Sequence, residues 1–355
     1  MSRFFSSKYS ALEAYTPGEQ PKDMKYIKLN TNESPFAPSE AVKDAVLAEA
    51  GRLNLYSDPE SGELTALAAE LFGVRRDEIL MTNGSDEILN FAFMAFCDSK
   101  RGIAFPDITY GFYPVFAALG GIPCKEIPLT DDFSVNADDY IGIPENVVIA
   151  NPNAPTGKVL KLSEIERIVA SDKNRVVIID EAYVDFGGES AIPLIKKYDN
   201  LLVTGTFSKS RSLAGARLGF GIGCAELIRD LQTIKYSTNP YNVNRMTSAA
   251  GIAAIRDNAY YMENAETIIE NRSYTTEALR ELGFEVLDSS ANFVFARSSE
   301  ISGEELYISL KKRGILVRHF KKKRIEDFNR ITIGTKEQMQ AFVCAVDEIL
   351  KEKTK

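Results

Sequence analysis

A chain of 355 residues has length for about two domains, and its 45% apolar composition suffices for a core without disulfide or metal staples. Its formal net charge of −8, from 42 basic and 50 acidic residues, argues against a protein devoted to nucleic acid or an anionic membrane. A single histidine, His319, excludes a multi-histidine metal site and undercuts a Ser-His-Asp triad, for which no G-x-S-x-G elbow is present either. Cys97, Cys124, Cys224 and Cys344 are scattered without a C-x-x-C, which predicts mostly buried, inert thiols and no disulfide or metal framework. No apolar run reaches the ~18 residues of a membrane span, and MSRFFSSKYSALEAYTPGEQ lacks a secretory-signal pattern, so a cytoplasmic protein is expected.

In chain order, residues 1–28 read as a polar arm with a turn at Tyr15-Thr16-Pro17-Gly18. Leu64, Leu67, Ala68 and Leu71 recur at helical spacing and predict a helix over 63–72, stopped by Gly73. A strand over 79–81 and an apolar helix over 88–96 follow. Short apolar runs without alternation at 147–150, 176–179 and 201–203 read as strands buried on both faces of a parallel sheet. Ser163-Glu164-Ile165-Glu166 reads as a capping box opening a helix between the first two. Gly219-Phe220-Gly221-Ile222-Gly223 has the spacing of a closely packed strand, since it departs from G-x-G-x-x-G and no Walker lysine follows.

Beyond a long helix over 258–282, ended by Gly283, the pattern changes. Strands are predicted over 284–287 and 293–296, then a helix from the capping box Ser302/Glu305 to Gly314. A strand over 315–320 carries His319, which reads as structural or peripheral. The run Lys321-Lys322-Lys323-Arg324 reads as a solvated turn, with ligand steering as the alternative. A strand over 330–333 and a helix opened by Thr335 and Gln338, with Met339, Phe342, Val343 and Val346 as its apolar stripe, complete the chain. The expected organisation is an arm (1–28), a large α/β domain (29–250) and a smaller α+β domain (251–355).

Four segments carry candidate chemistry. Gly84 and Ser85, in TNGSDE, place backbone N–H groups at a helix start, which suits a phosphate; an ordinary N-cap is the plain alternative. NPNAPTG is a tight turn after a strand, from which an Asn can donate to a ligand oxygen. Asp180 ends a strand, where the ligand crevice of open α/β sheets lies. Its carboxylate could keep a pyridine nitrogen protonated, or merely cap a helix or bind metal. Lys209 follows the apolar run 201–203, where partial desolvation makes an amine a usable nucleophile, although most loop lysines are surface residues. Thr206, Ser208 and Arg217 nearby supply hydroxyls and a guanidinium for an anion.

Together with YTPGEQP, LNTNESPF, LYSDPES, ITYGFYP, TFSKSRSLAGARLGFGIG, GILVRHF and RITIGT, these segments span nearly the whole chain. They resemble the fold-type-I pyridoxal-phosphate enzymes, and within them the class II subfamily of histidinol-phosphate aminotransferases. The resemblance implies an aspartate-aminotransferase-like fold with a seven-stranded, mostly parallel sheet. It implies pyridoxal 5′-phosphate as cofactor, with Lys209 as Schiff-base lysine and proton shuttle, Asp180 on the pyridine nitrogen, Tyr183 on the ring 3-oxygen and Tyr110 stacked on the ring. Ser85 and Asp86, through their amides, with Thr206, Ser208 and Arg217, would hold the phosphate. Tyr56 would reach the partner's cofactor in a homodimer. Arg330, with Arg318, Tyr15 and Asn32, would bind substrate anions. One departure stands out: the family often has Asn directly before Pro-Thr-Gly, where this chain has Ala154, and Asn153 is the expected substitute.

The implied reaction moves the amino group of L-histidinol phosphate to 2-oxoglutarate, a step of histidine biosynthesis. A threonine-phosphate decarboxylase or an aromatic aminotransferase on the same scaffold stays open, as does a cofactor-binding domain without activity. The last is disfavoured by the presence of both Lys209 and Asp180 and by the lack of length for a fused module.

Overall fold

The computed structural model describes residues 2–10 and 12–353; Met1, Ala11, Thr354 and Lys355, at the edges of the expected arm and C-terminal domain, lie outside the described residues. After the arm come β1 (Ile27–Lys28), α1 (Glu40–Ala50), α2 (Gly62–Phe72), β2 (Ile79–Thr82), α3 (Ser85–Phe96), β3 (Ile103–Pro106), α4 (Tyr113–Gly120) and β4 (Cys124–Ile127). They are followed by β5 (Asn146–Ala150), α5 (Leu162–Ser171), β6 (Val177–Asp180), β7 (Leu201–Thr206), β8 (Gly219–Gly223), α6 (Ala225–Thr238) and α7 (Arg245–Arg256). The remainder is α8 (Asn258–Glu281), β9 (Phe284–Val286), β10 (Phe293–Ser298), α9 (Gly303–Lys312), β11 (Ile315–Leu316), β12 (Arg318–His319), β13 (Asn329–Thr332) and α10 (Lys336–Lys353).

Seven strands form one sheet in the order β2-β8-β7-β6-β5-β3-β4, parallel except for β8, which runs against both neighbours. Every residue of β5, β6, β7 and β8 is buried, as expected of strands covered on both faces. A second, antiparallel sheet, β12-β13-β10-β9, packs with α8, α9 and α10 around a core that includes Phe284, Val294, Leu310, Phe342 and Val346. This is the α/β fold expected from the sequence, and no helix among the described residues is long and apolar enough to cross a membrane.

Two features of the large sheet position the site. Ala150, Asp180 and Thr204 are paired across β5, β6 and β7, so the carboxyl ends of three parallel strands open side by side. The antiparallel β8 pairs Gly219 with both Thr206 and Thr82, which brings the start of α3 beside the end of β7. That approach needs glycine: a Cβ on Gly219 would stand 2.5 Å from the Ser85 nitrogen, and one on Gly221 2.6 Å from Ile88.

Three local readings are corrected. Helix α5 starts at Leu162 with Lys161 as its cap, so Ser163 lies inside the first turn and is not a capping residue. The segment 315–320 is two short pieces: β11 continues onto β1, whereas β12 turns to pair with β13. Of the cysteines only Cys97 is buried; Cys124 and Cys344 are exposed and Cys224 is intermediate, because β4 is an edge strand and Cys344 sits on the outer face of α10. The capping box at Ser302 and Glu305 is present. Ser302→Ala is expected to cost about 1 kcal/mol in a denaturant titration, whereas Ser163→Ala stays within about 0.5 kcal/mol of the parent.

Candidate active site

A cavity of about 260 Å³ opens at the carboxyl ends of β6 and β7. Its floor is Asp180, 5% exposed, whose Oδ2 accepts a 2.8 Å hydrogen bond from Tyr113 and whose Oδ1 lies 3.4 Å from the Thr204 hydroxyl. Desolvation pushes this carboxyl up to about 6 from its ordinary 3.8, and among the described residues no cation forms an ion pair with it. At one end stands the start of α3, whose N-cap is Gly84, with a φ of 81° and no side-chain cap, so the first-turn amides face the cavity mouth uncapped by a side chain. Buried Thr206 and Ser208 stand beside it, their hydroxyls 2.8 Å apart. Arg217 Nη2 reaches Asp86 Oδ2 at 3.0 Å in a half-exposed pair, an interaction weak enough to leave the guanidinium available to an anion. Tyr110 walls the cavity and donates to Asp86 Oδ1 at 2.7 Å; burial raises its hydroxyl's pKa, which keeps it a neutral donor.

Lys209 projects into this cavity from the turn after β7, with the Thr31 carbonyl 3.5 Å from its Nζ. The turn is tied down behind it: Ser210 Oγ and Arg211 Nη1 both donate to Asp185 Oδ2, at 2.5 and 2.9 Å, and Arg211 Nη2 donates to Asn258 at 2.8 Å.

A second cavity of about 380 Å³ shares Lys209, Tyr183, Tyr110, Ala154 and Thr31 with the first. It is bounded by Arg330, Arg318, Tyr15 and Asn32. Arg330 Nη2 donates to the Asn30 carbonyl at 3.1 Å, its guanidinium lies over Phe293 and Phe320, and its enclosed Nε has no hydrogen-bond partner among the described residues. Arg318 donates to the carbonyls of Pro17 and Thr16, both at 3.4 Å, so the arm lies against it, and its guanidinium lies 5.6 Å from the centre of the Phe320 ring. Asn32, with a φ of 56°, donates to the Tyr183 hydroxyl at 2.9 Å and is fixed by Thr332.

The profile of the family described as aminotransferase class I and II matches residues 24–346. The chain belongs to that family. It is 50% identical to a histidinol-phosphate aminotransferase of Brachyspira hyodysenteriae, over 99% of this chain and all of the relative. It is 48% identical to one from Aromatoleum aromaticum with the same coverage. Its fold superposes with a TM-score of 0.89 on a histidinol-phosphate aminotransferase from Sinorhizobium meliloti in complex with pyridoxal-5′-phosphate, at 22% identity and 99% coverage of both chains. The chain is thus an aminotransferase with pyridoxal 5′-phosphate as cofactor, and the first cavity fits that group. A buried carboxylate without a cation suits a ring N–H, an amine stands at the shared wall, and two glycines leave room for backbone amides, two hydroxyls and a guanidinium at the phosphate end.

Two expected site residues are not brought to the first cavity. Asn153 is 3% exposed and its amide is spent on structure: Nδ2 donates to the Ile108 carbonyl and to Thr156, both at 3.0 Å, and Oδ1 accepts from Thr109 at 2.8 Å. Ala154, not Asn153, lines the cavity, and Tyr183 stands on the same wall. Tyr56 is 80% exposed and stacks on Tyr241 at 4.6 Å, away from its own chain's cavity. Tyr113 was missed although it lies in ITYGFYP; a tyrosine three positions after Tyr110 on the same helix entry is the signal that would have found it. The basic run is more than a solvated turn: Lys322 lines the second cavity and donates to the Asp107 carbonyl, while Arg324 donates to the carbonyls of Leu129 and Thr130. His319 packs against Tyr307 and lines neither cavity.

Because the carboxyl of Asp180 is raised in the folded, cofactor-free chain, its ionisation costs stability that is absent below pH ~4 and fully felt above pH ~6. Asp180→Asn should therefore stabilise the cofactor-free protein at pH 7, by up to about 3 kcal/mol, and leave it unchanged near pH 4, as read by unfolding at the two pH values.

Proposed function

We propose that this aminotransferase exchanges amino groups between L-histidinol phosphate and 2-oxoglutarate, giving imidazole acetol phosphate and L-glutamate. The observation that carries the reading is Arg330, whose enclosed Nε lacks a partner among the described residues at the wall of a cavity that also meets Lys209. A guanidinium fork matches a carboxylate or a phosphate ester, and the reaction needs one site that takes each in turn. The full-length likeness to histidinol-phosphate aminotransferases at about half identity supports it.

When bound, pyridoxal phosphate supplies an electron sink for the pair left at the substrate's Cα. Lys209 Nζ would hold the cofactor covalently, and its amine would take the substrate's Cα proton and return it. Asp180 would hold the ring nitrogen, Tyr183 the ring 3-oxygen and Tyr110 the ring face. The amides of Ser85 and Asp86, with Thr206, Ser208 and Arg217, would hold the phosphate. Arg330 anchors the α-carboxylate of glutamate or the phosphate of histidinol phosphate. Arg318 and Tyr15 close over that anion from the arm, and Asn32 orients Tyr183. Lys209 is the one acid–base group the reaction requires, which suits a chain whose single histidine lies elsewhere.

The reading extends to a homodimer. Tyr56 is 80% exposed and stacks on exposed Tyr241, and Leu53 and Leu55 beside it in the sequence are exposed too; a second copy would cover these residues and receive Tyr56 at its cofactor phosphate. The division into arm, large domain and small domain at 28 and 250, and a cytoplasmic location without nucleic-acid or membrane partners, belong to the same reading.

Purified protein is assayed with L-histidinol phosphate and 2-oxoglutarate, with tyrosine and phenylalanine as rival donors and carbon dioxide release as control. Histidinol phosphate is expected to be the preferred donor, without decarboxylation. Lys209→Ala should lose both the cofactor's covalent absorbance band and turnover; full activity in that variant would refute the assignment. Arg330→Ala should lower kcat/KM for both substrates by at least about a hundredfold, the cost of losing a charge-assisted bidentate contact.

A further inference from the structure

Tyr113 is fully buried and is not among the groups assigned above. It opens α4, where Phe105 packs at 5.9 Å and Tyr110 meets it edge-on at 5.5 Å between centroids. Within this setting its hydroxyl has one hydrogen bond among the described residues, donated to Asp180 Oδ2 at 2.8 Å. The other donors to that carboxylate are the Ala182 amide and Thr204 at a long 3.4 Å. The groups that face Asp180 offer little else. Tyr113 and Tyr110 face it from the entry to α4, Asp86 from α3, Glu181 and Tyr183 from its own turn, Thr204 from β7, and Lys209 lines the same cavity. Asp86 and Glu181 are carboxyl groups, which oppose a second negative charge beside them. Tyr113 is thus the shortest side-chain donor that favours the charged form of Asp180.

We propose that Tyr113 is a positioning residue for the cofactor: its hydroxyl keeps the Asp180 carboxylate ionised and fixed in orientation, so that the ring nitrogen of pyridoxal phosphate stays protonated. The proposal rests on the reading of Asp180 as the ring-nitrogen partner. A pair of tyrosines from one turn then serves the two ends of the cofactor cavity. Tyr110 donates to Asp86 beside the phosphate cradle, and Tyr113 donates to Asp180 beneath the ring. A carboxylate without this donor would drift toward its neutral form, and a neutral acid at that position no longer holds a proton on the ring.

Tyr113→Phe removes one oxygen and keeps the packing. The holoenzymes of wild type, Tyr113→Phe, Asp180→Asn and the double variant are compared by three readouts. These are cofactor retention after gel filtration, the pH midpoint of the cofactor's absorbance change, and the single-turnover rate with glutamate. Tyr113→Phe is expected to weaken cofactor retention and slow the glutamate half-reaction by about ten- to a hundredfold, the range for a buried hydrogen bond to a charged group, and to displace the pH midpoint. In the Asp180→Asn background the same change should add less than about twofold, since the partner it acts through is gone. A folded Tyr113→Phe protein with an unmoved midpoint and normal retention overturns the role, as does an equal loss in both backgrounds, which marks a packing effect. Should Tyr113→Phe not fold, Thr204→Val tests the same dependence from the other oxygen, and a midpoint unmoved there overturns the claim that donors to Asp180 set the ring's charge. A wild-type chain that forms no coloured adduct at Lys209 overturns the functional reading itself, an outcome distinct from an indifferent Tyr113→Phe in a coloured wild type.

Discussion

A carboxylate removed from water must be neutralised, hydrogen-bonded or matched with a cation, and the site is organised around Asp180 as such a group. It sits at the carboxyl end of a strand buried on both faces, so its environment is set by the sheet and not by solvent. Two neighbouring carboxyl groups, Asp86 and Glu181, add to the burial in disfavouring its charge, and Glu181 is itself pushed up to about 7, with desolvation the largest cause. The fold tolerates this by giving Glu181 the Ser190 hydroxyl and the Ala191 amide, and by giving Asp180 the Tyr113 hydroxyl. What remains at the floor of the cavity is a buried carboxyl group without a cation among the described residues, which on the proposed reading a protonated ring would match. On that reading, stability of the cofactor-free chain and affinity for the cofactor are linked through one residue.

The phosphate end depends on a different constraint, the distance of closest approach between a strand and a helix start. Gly219 lets β8 lie against Gly84 and Ser85, and Gly84 in turn leaves room for Arg217, whose guanidinium nitrogen would be 2.6 Å from a Cβ there. Arg217 also has a φ of 56°, a conformation that non-glycine residues seldom adopt and that aims its side chain back toward α3. The antiparallel direction of β8 is what makes this possible, because it returns the chain from the Lys209 turn to the start of α3. Lysine, hydroxyls, arginine and helix amides thus converge from segments far apart in sequence.

Much of this was legible before any coordinates. Uninterrupted apolar runs announced the strands of a parallel sheet, and the residue at the end of each run, Asp180 or Thr206, lies where such strands place functional groups. The glycine spacing of 219–223 correctly read as close packing. Less legible are features decided by a single turn or by tertiary contacts. Ser163 has the sequence of a cap, but the cap lies two residues earlier, at Lys161, which has extended backbone. Asn153 carries the right chemistry, yet the turn points it at Ile108, Thr109 and Thr156, and one residue's displacement around a tight turn reverses a side chain's direction. Tyr113 and Lys322 take their roles from partners some tens of residues or more away, Asp180 and Asp107, and no local pattern encodes such pairs.

The arrangement of the second cavity bears on how one site serves two unlike substrates. Arg330 lies over Phe293 and Phe320, and its neighbour Arg318 lies over Phe320 too while donating at 3.4 Å to the arm carbonyls of Thr16 and Pro17. On the proposed reading, a carboxylate and a phosphate ester would each meet this pair of guanidinium groups. The arm is in turn fastened by Glu19, which pairs with Lys311 and accepts from Tyr307 on α9, while the Glu19 carbonyl accepts from Asn30. The stretch between Tyr15 and Gly18 is therefore tethered at one end, and both of these residues line the cavity wall.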